Sequence, residues 1–400
     1  MQEKFTVRLF NPGLFAYTGG AEKYTATIAQ YLIQTYKGLD LEFVAYRHSE
    51  TKGSQNIGFL NQSYGLSLPG DVRVGLLDDE KSGLRGRYIA HRRLRDTSRN
   101  VDLYINCFHN VQFFNGKKNV HVVHFPAPRR VDGSPTFAGK PLLKPMAAAL
   151  DRRYEHCYDL FICNSRFSEK WLDTYWGIEP ERRAVLYPPV AHDATWSPAF
   201  YDQKKNIILL VSRFDPRKNM LEAVEYFGAN EDRFPAWRLV VAGSCSDKDK
   251  EYYNRVVLAS RGHRVDIRTN LSKLELDALY QEASIFWHAM GLATDENRDP
   301  IDVEHFGITT VEAMSAGAVP VVIDKGGQRE IVDDDVNGFR WETLDQLESL
   351  TEKLIMNPDL RLTLSKAAVE KSNKYSIEAF YANIDTIFRG HGLIPEEYRR

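Results

Sequence analysis

Two carboxylates, Glu304 and Glu312, bracket the run Glu-His-Phe-Gly-Ile-Thr-Thr-Val-Glu, in which Gly307 opens a helix just ahead of the apolar strand Ala318 to Asp324. These residue types can hold a sugar and a phosphate together. Glycine permits close backbone approach, and the N–H groups of Ile308, Thr309 and Thr310 at a helix start attract an anion such as a diphosphate. Glu304 precedes the helix and Glu312 lies about one and a half turns into it. Glu304 is thereby placed to face a hydroxylated group beyond the phosphate, while Glu312 can accept from two vicinal hydroxyls, for which a carboxylate is the natural bidentate acceptor. The competing reading is an acid that favours the helix dipole and a second, solvated acid.

A second group of reactive types follows an apolar strand in Ser212-Arg213-Phe214-Asp215-Pro216-Arg217-Lys218-Asn219. Arg213 and Lys218, set around a proline turn, are positioned to converge on one polyanion, the guanidinium as a bidentate donor and the ammonium as a point charge. The alternative is a solvated loop with ordinary surface charges. His124 ends another strand in Val-His-Phe-Pro, with His109 and His121 nearby. His121 alternates to the opposite face of that strand, so His124 is the one suited to a ligand. Gly19 and Gly20 precede a helix, but the full dinucleotide fingerprint is absent. Asp247-Lys248-Asp249 and Asp333-Asp334-Asp335 sit in polar loop sequence and read as solvated turns rather than metal ligands. No Ser-His-Asp arrangement is legible.

The elements that must carry these residues alternate between strand-like apolar runs and helix-period segments, the pattern of parallel sheets covered by helices. Strands are predicted at Thr6 to Phe10, Leu41 to Tyr46, Val101 to Cys107, Val120 to Phe125, Leu160 to Cys163 and Ala184 to Leu186. A second series runs Ile207 to Ser212, Arg238 to Ala242, Val265 to Arg268, Ile285 to His288 and Val319 to Ile323. The helices that stand out are Ala21 to Tyr36, Leu221 to Phe227 and Lys273 to Ala283. A chain of 400 residues exceeds what one core usually supports, and Tyr187-Pro188-Pro189 with the loop Pro198 to Lys205 reads as a linker. The expected fold class is α/β, with a first domain over 1–190, a second over 191–374 and a tail over 375–400 whose last helix starts after Ser376 as N-cap and packs back on the first domain. A hydrophobic fraction of 43% supplies the cores, and a net charge of −2 gives no global signal for nucleic acid. Four cysteines without Cys-x-x-Cys spacing, no apolar segment of bilayer length and no signal sequence point to a cytoplasmic protein with peripheral membrane contact at most.

Together, Gly19-Gly20-Ala21-Glu22, Val123-His124-Phe125-Pro126, Asn164-Ser165, Ser212-Arg213 with Lys218, and Glu304 to Glu312 followed by Ala316-Gly317 and Pro320 resemble the glycosyltransferases of family 4. The resemblance covers nearly the whole chain. Its Glu-His-Phe-Gly-Ile and His-Phe-Pro elements look closest to the mannosyltransferases that elongate lipid-linked oligosaccharides. It implies a GT-B fold, two Rossmann-like domains facing across a cleft, and transfer of a sugar from a nucleotide-diphosphate donor, with GDP-mannose favoured, to a glycan or lipid-linked acceptor with retention of configuration and without a bound metal or cofactor. By the same resemblance 1–190 is the acceptor-side domain and 191–374 the donor-binding domain, and Arg213 and Lys218 neutralise the departing diphosphate with the amides after Gly307. Glu312 holds the ribose hydroxyls, Glu304 the transferred sugar, His124 lines the sugar site, and Gly19 and Gly20 approach the donor phosphates or the acceptor.

The sequence departs from the family pattern at Ser212-Arg213, where many relatives have Gly-Arg, and at Tyr-Pro-Pro-Val in the linker. Gly291 to Val303 is polar and either shapes the sugar or acceptor site or is a mobile solvated loop. A silent sugar-nucleotide-binding subunit, a soluble-disaccharide synthase and a sugar-nucleotide epimerase remain alternatives. The densest basic run, Leu84 to Arg99, is a candidate contact for anionic lipid through Arg85, Arg92, Arg93, Arg95 and Arg99, continued by Arg129, Arg130, Lys140 and Lys144. Its alternative is a solvated helix paired with nearby acids such as Asp78, Asp79 and Glu80.

Overall fold

A computed structural model describes residues 4–16, 18–47, 55–78, 92–108, 116–133, 141–191, 197 and 201–400. The chain divides into two units, the first Met1–Pro189 with Phe380–Arg400 and the second Val190–Ala379.

The first unit holds strands β1 (Phe5–Phe10), β2 (Leu39–Arg47), β3 (Arg73–Asp78), β4 (Leu103–Asn106), β5 (Lys118–Val123), β6 (Leu160–Cys163) and β7 (Arg183–Val185). They form one parallel sheet in the order β3-β2-β1-β4-β5-β6-β7. Central strands are buried on both faces, which is why they read as continuous apolar runs such as Leu103-Tyr104-Ile105. Helix Gly20–Thr35 crosses back over the sheet and buries Tyr24, Ile28, Tyr31 and Leu32 in the core. The last helix, Ile377–Gly390, begins with the Ala379 amide donating to Ser376 Oγ at 3.1 Å. Its Phe380, Ile384 and Phe388 belong to the same core, with Phe380 edge-on to Tyr24 at 5.3 Å and Asp385 accepting from Tyr31 Oη at 2.9 Å.

The second unit holds β8 (Lys205–Val211), β9 (Arg238–Gly243), β10 (Val265–Thr269), β11 (Ala283–His288), β12 (Val319–Ile323) and β13 (Phe339–Trp341), parallel in the order β10-β9-β8-β11-β12-β13. Both sheets reverse direction of strand addition once, at β1/β4 and at β8/β11. Sheets of this kind bind ligands outside the carboxyl ends at that switch point.

The sequence reading misses two strands, β3 and β13. Residues of β3 are exposed or half-buried at the sheet edge, so no apolar alternation marks them, and β13 is only 3 residues long. Strand β5 ends at Val123, two residues short of the predicted Phe125, which leaves His124 just past the ladder. Likewise β8 stops at Val211 and β7 at Val185, so Ser212 and Leu186 begin the loops rather than end the strands.

Candidate active site

The turn after β8 is built to project one cation. Phe214 is fully buried and anchors the loop. Asp215 caps the single 3-10 turn Pro216–Lys218 by accepting from the Arg217 amide at 3.0 Å, and proline at the first helical position needs no donor there. Asn219 then adopts the left-handed conformation, φ 53°, and its Oδ1 accepts from the amides of Gly291 and Leu292 at 3.2 Å each. Lys218 Nζ lies 2.8 Å from Glu304 Oε2 and 3.0 Å from Met290 Sδ. Of its three donors, one is left over among the described residues.

A third residue completes this cluster. His288, the last residue of β11, is buried, and its Nε2 lies 3.2 Å from the same Glu304 Oε2. Glu304 Oε1 has no hydrogen-bond partner among the described residues, and the Glu304 side chain is 21% exposed. Burial alone would raise the Glu304 carboxyl, but the charge of Lys218 and the bonds from His288 and Lys218 hold it well below the usual range. Burial lowers His288, assisted by Lys218 and opposed by Glu304. The imidazole is therefore neutral beside an ionised carboxylate, which assigns the proton to Nε2. From the far side, Gly326, φ 56°, presses against the Glu304 backbone so closely that a Cβ there would fall 2.2 Å from the Glu304 carbonyl oxygen. The Gly327 amide donates to that oxygen at 2.8 Å.

Glu312 is placed differently. Helix Ile308–Ser315 starts at Gly307, whose φ of 117° only glycine adopts without strain. A Cβ at Gly307 would also meet Gln328 Nε2 at 2.4 Å. The amides of Ile308 and Thr309 have no acceptor among the described residues. Thr310, expected to offer a third, instead donates to the Gly307 carbonyl at 3.1 Å, because the first turn closes on itself. Glu312 Oε2 accepts from Tyr280 Oη at 2.9 Å. Burial and the Glu312 charge push the Tyr280 hydroxyl far up, so it remains the donor. Lys204 Nζ in turn donates to the carbonyls of Tyr280 at 3.1 Å and Ala316 at 2.5 Å, tying the helix Lys273–Glu282 to the end of the helix that carries Glu312.

Arg213 is exposed and pairs with no carboxylate among the described residues. Lys218 pairs with Glu304 at 2.8 Å, whereas Arg217 is held by Asp215 at 2.7 Å. In the first unit, His124 stands edge-on to Tyr24 at 5.7 Å, and its carbonyl accepts from Ser168 Oγ at 2.9 Å. Gly19 is extended, φ −129° and ψ 176°, a conformation open to any residue, so the pair Gly19-Gly20 carries no backbone requirement at Gly19. The segment 291–303 is tied down rather than loose. Lys325 Nζ donates to the carbonyls of Gly291 at 2.7 Å and Thr294 at 2.6 Å, and Glu296 accepts from the Gly326 amide at 2.9 Å. Asp249 caps its own turn through Ser246, and Asp247 pairs with Lys250 at 2.8 Å. Asp333 pairs with Lys371 at 2.6 Å and Asp335 with Lys353 at 3.2 Å. His288 and Tyr280 escape the sequence reading. A histidine closing an apolar strand at its carboxyl end is the signal that marks His288, as it marks His124.

Known proteins share this arrangement in sequence and in fold. The model of Glycosyl transferases group 1 matches residues 197–371, and that of Glycosyltransferase Family 4 matches residues 18–194. Human GDP-Man:Man(3)GlcNAc(2)-PP-Dol alpha-1,2-mannosyltransferase is 25% identical over 255 residues, covering 58% of this chain and 49% of that protein. Sucrose synthase 5 of Arabidopsis thaliana is 26% identical over 193 residues, covering 46% of this chain and 23% of that enzyme. The chain thus spans about half, or less, of the length of these relatives. The crystal structure of Anabaena HepE in complex with UDP and glucose superposes with a TM-score of 0.68 at 16% identity, over 96% of this chain and 99% of that one. Two parallel sheets with their switch points, and two family matches that together run from residue 18 to residue 371, establish that the chain belongs to the GT-B glycosyltransferases of family 4.

Proposed function

We propose that the protein is a retaining glycosyltransferase that moves a hexose, mannose from GDP-mannose first among the candidates, onto a glycan or lipid-linked acceptor. The observation that carries this reading is Glu304, held ionised by Lys218 at 2.8 Å with Oε1 left open, beside the carboxyl ends of β8 and β11. A carboxylate so held accepts from sugar hydroxyls without itself taking a proton. The third donor of Lys218, the unpaired Arg213 and the amides of Ile308 and Thr309 supply positive potential for the diphosphate as its charge develops, which is the role a metal ion would otherwise fill. In this reading Lys218 bridges Glu304 and the leaving phosphate. Glu312, oriented by Tyr280, accepts from the ribose hydroxyls, and the family resemblance assigns His124 to the sugar as well. The acceptor hydroxyl attacks the anomeric carbon on the face the diphosphate leaves, its proton passing to the departing phosphate oxygen as the glycosidic bond forms. The GDP-mannose preference leans on the human relative, whose name carries that donor. The likeness to a sucrose synthase, together with the fold likeness to HepE in complex with UDP and glucose, favours UDP-glucose and a soluble acceptor as the second reading.

Release of free nucleotide from labelled GDP-mannose, UDP-glucose and UDP-GlcNAc tests the reading. Fastest hydrolysis of GDP-mannose, persisting in EDTA, supports it. Hydrolysis of UDP-glucose alone moves the assignment to the second reading, and a metal requirement overturns the electrostatic one. A lipid-carried acceptor would require approach to a membrane. No helix among the described residues is long and apolar enough to cross one. Residues 79–91, and with them Arg85, lie outside the described residues, as do His109 and Lys140. In the remainder of the basic run, Arg92 and Arg93 are exposed while Leu94 is buried. Arg129 pairs with Glu155, and Arg130 with the buried Asp151 at 3.1 Å. Co-sedimentation with anionic vesicles that falls with salt and is lost in an Arg92→Glu, Arg93→Glu variant supports the contact; no binding at low salt removes it.

A further inference from the structure

We propose that His288 is a positioning residue for Glu304: its Nε2–H and the Lys218 ammonium grip one carboxylate oxygen, so that the other, Oε1, is presented to a hydroxyl of the transferred sugar. This rests on the reading of Glu304 given above. Lys218 by itself cannot set that orientation, because a point charge on a flexible four-carbon stem attracts a carboxylate without fixing its plane. The imidazole can. It is planar, buried to 4% relative exposure, and held at the end of β11, where His288 is in register with Val322 of β12. Both donors approach Oε2, at 2.8 and 3.2 Å, and neither approaches Oε1.

The tautomer follows from the partner. An ionised carboxylate only accepts, so Nε2 carries the proton and Nδ1 is a bare acceptor. Nδ1 is buried and has no hydrogen-bond partner among the described residues. Native proteins seldom retain an unsatisfied buried group without use. A hydrophobic residue at this position would fill the strand end without that cost, and it would leave Glu304 Oε2 to Lys218 alone.

The test uses GDP release from GDP-mannose by the full chain, with binding of GDP measured separately by calorimetry. In His288→Leu the rate is expected to fall by roughly 10- to 100-fold, with GDP binding unchanged. His288→Gln, whose amide N–H2 can still reach Glu304, restores most of the rate, and His288→Asn, one bond shorter, does not. In a Glu304→Gln background His288→Leu adds nothing further, since the group it positions is gone. Wild-type turnover in His288→Leu, in a protein whose Glu304→Gln form is inactive, overturns the inference alone. Wild-type turnover in Glu304→Gln overturns the reading of Glu304 itself. Nitrogen-15 spectra of histidine-labelled protein give a readout independent of turnover. A resonance pair with a protonated Nε2 and a bare Nδ1, missing from His288→Leu and displaced in Glu304→Gln, supports the assignment. A protonated Nδ1 overturns it.

Discussion

Glu304 and Glu312 flank the same helix start yet are held by opposite means. Glu304 is gripped by an ammonium and an imidazole, both on one oxygen. Glu312 meets a neutral phenol, Tyr280, itself steadied by Lys204 through main-chain carbonyls. A carboxylate paired with a cation is fixed in charge as well as in place, which suits a group near the reacting bond. A carboxylate oriented by a neutral hydroxyl is placed without a cation at that bond, which suits the recognition of a diol. The contrast predicts a division of labour between turnover and binding.

The largest effect is expected at Lys218. Lys218→Ala removes a donor to the developing diphosphate and leaves Glu304 with His288 alone. Donor turnover should fall by about 10²- to 10³-fold, with nucleotide binding far less affected. Should Glu312→Ala depress turnover as severely as Lys218→Ala, the division between the two carboxylates is lost. Glu312→Ala is instead expected to weaken GDP binding by about 10-fold, or about 1.4 kcal/mol, at nearly unchanged maximal rate, as calorimetry and steady-state kinetics would read it.

Acid sharpens the comparison from the side of stability. A carboxyl held below its ordinary value stabilises the fold fully above that value, and the contribution disappears as pH falls through the depressed one. Thermal melts should therefore separate wild type from Lys218→Met most at neutral pH and progressively less below about pH 4. A gap that stays constant into acid would mean that the Lys218–Glu304 pair contributes nothing to folding. His288 acts in the same direction: neutral when folded, it leaves the unfolded chain as the better proton acceptor once pH falls below about 6.5. The smallest effect belongs to Tyr280→Phe. Loss of the hydrogen bond that orients the Glu312 carboxylate should weaken GDP binding a few-fold and leave turnover alone. A rate defect larger than the binding defect would place Tyr280 on the side of Glu304.

The paired glutamates and the proline turn with Lys218 are legible because each is a local pattern whose chemistry is carried by neighbouring residues. What the linear order hides is which charge meets which. Lys218 and Glu304 are separated by 86 residues and Lys204 and Ala316 by 112, so the pairing of Lys218 with Glu304 emerges only in three dimensions. The GT-B architecture is legible for the opposite reason: central parallel strands are buried on both faces and announce themselves as apolar runs. The edge strand β3 lacks that burial and β13 is only 3 residues long, so neither leaves such a trace. Gly19 illustrates a third limit. A glycine in sequence suggests a special backbone, yet only positions such as Gly307 and Gly326 turn out to need one.

The segment between β11 and Glu304 has a consequence for how this scaffold can vary. Its start is bonded through main-chain groups to Asn219 and Lys325, and its return is bonded to Gly326 through Glu296. The Asn219 and Lys325 anchors bond main-chain groups and do not depend on the identity of the residues they hold, whereas the Glu296 anchor is a side chain. The side chains of Asn297, Arg298 and Ile301 take no part in these bonds and can be exchanged without removing them. The segment is a cassette, open to sequence change at those positions while Glu304 stays fixed.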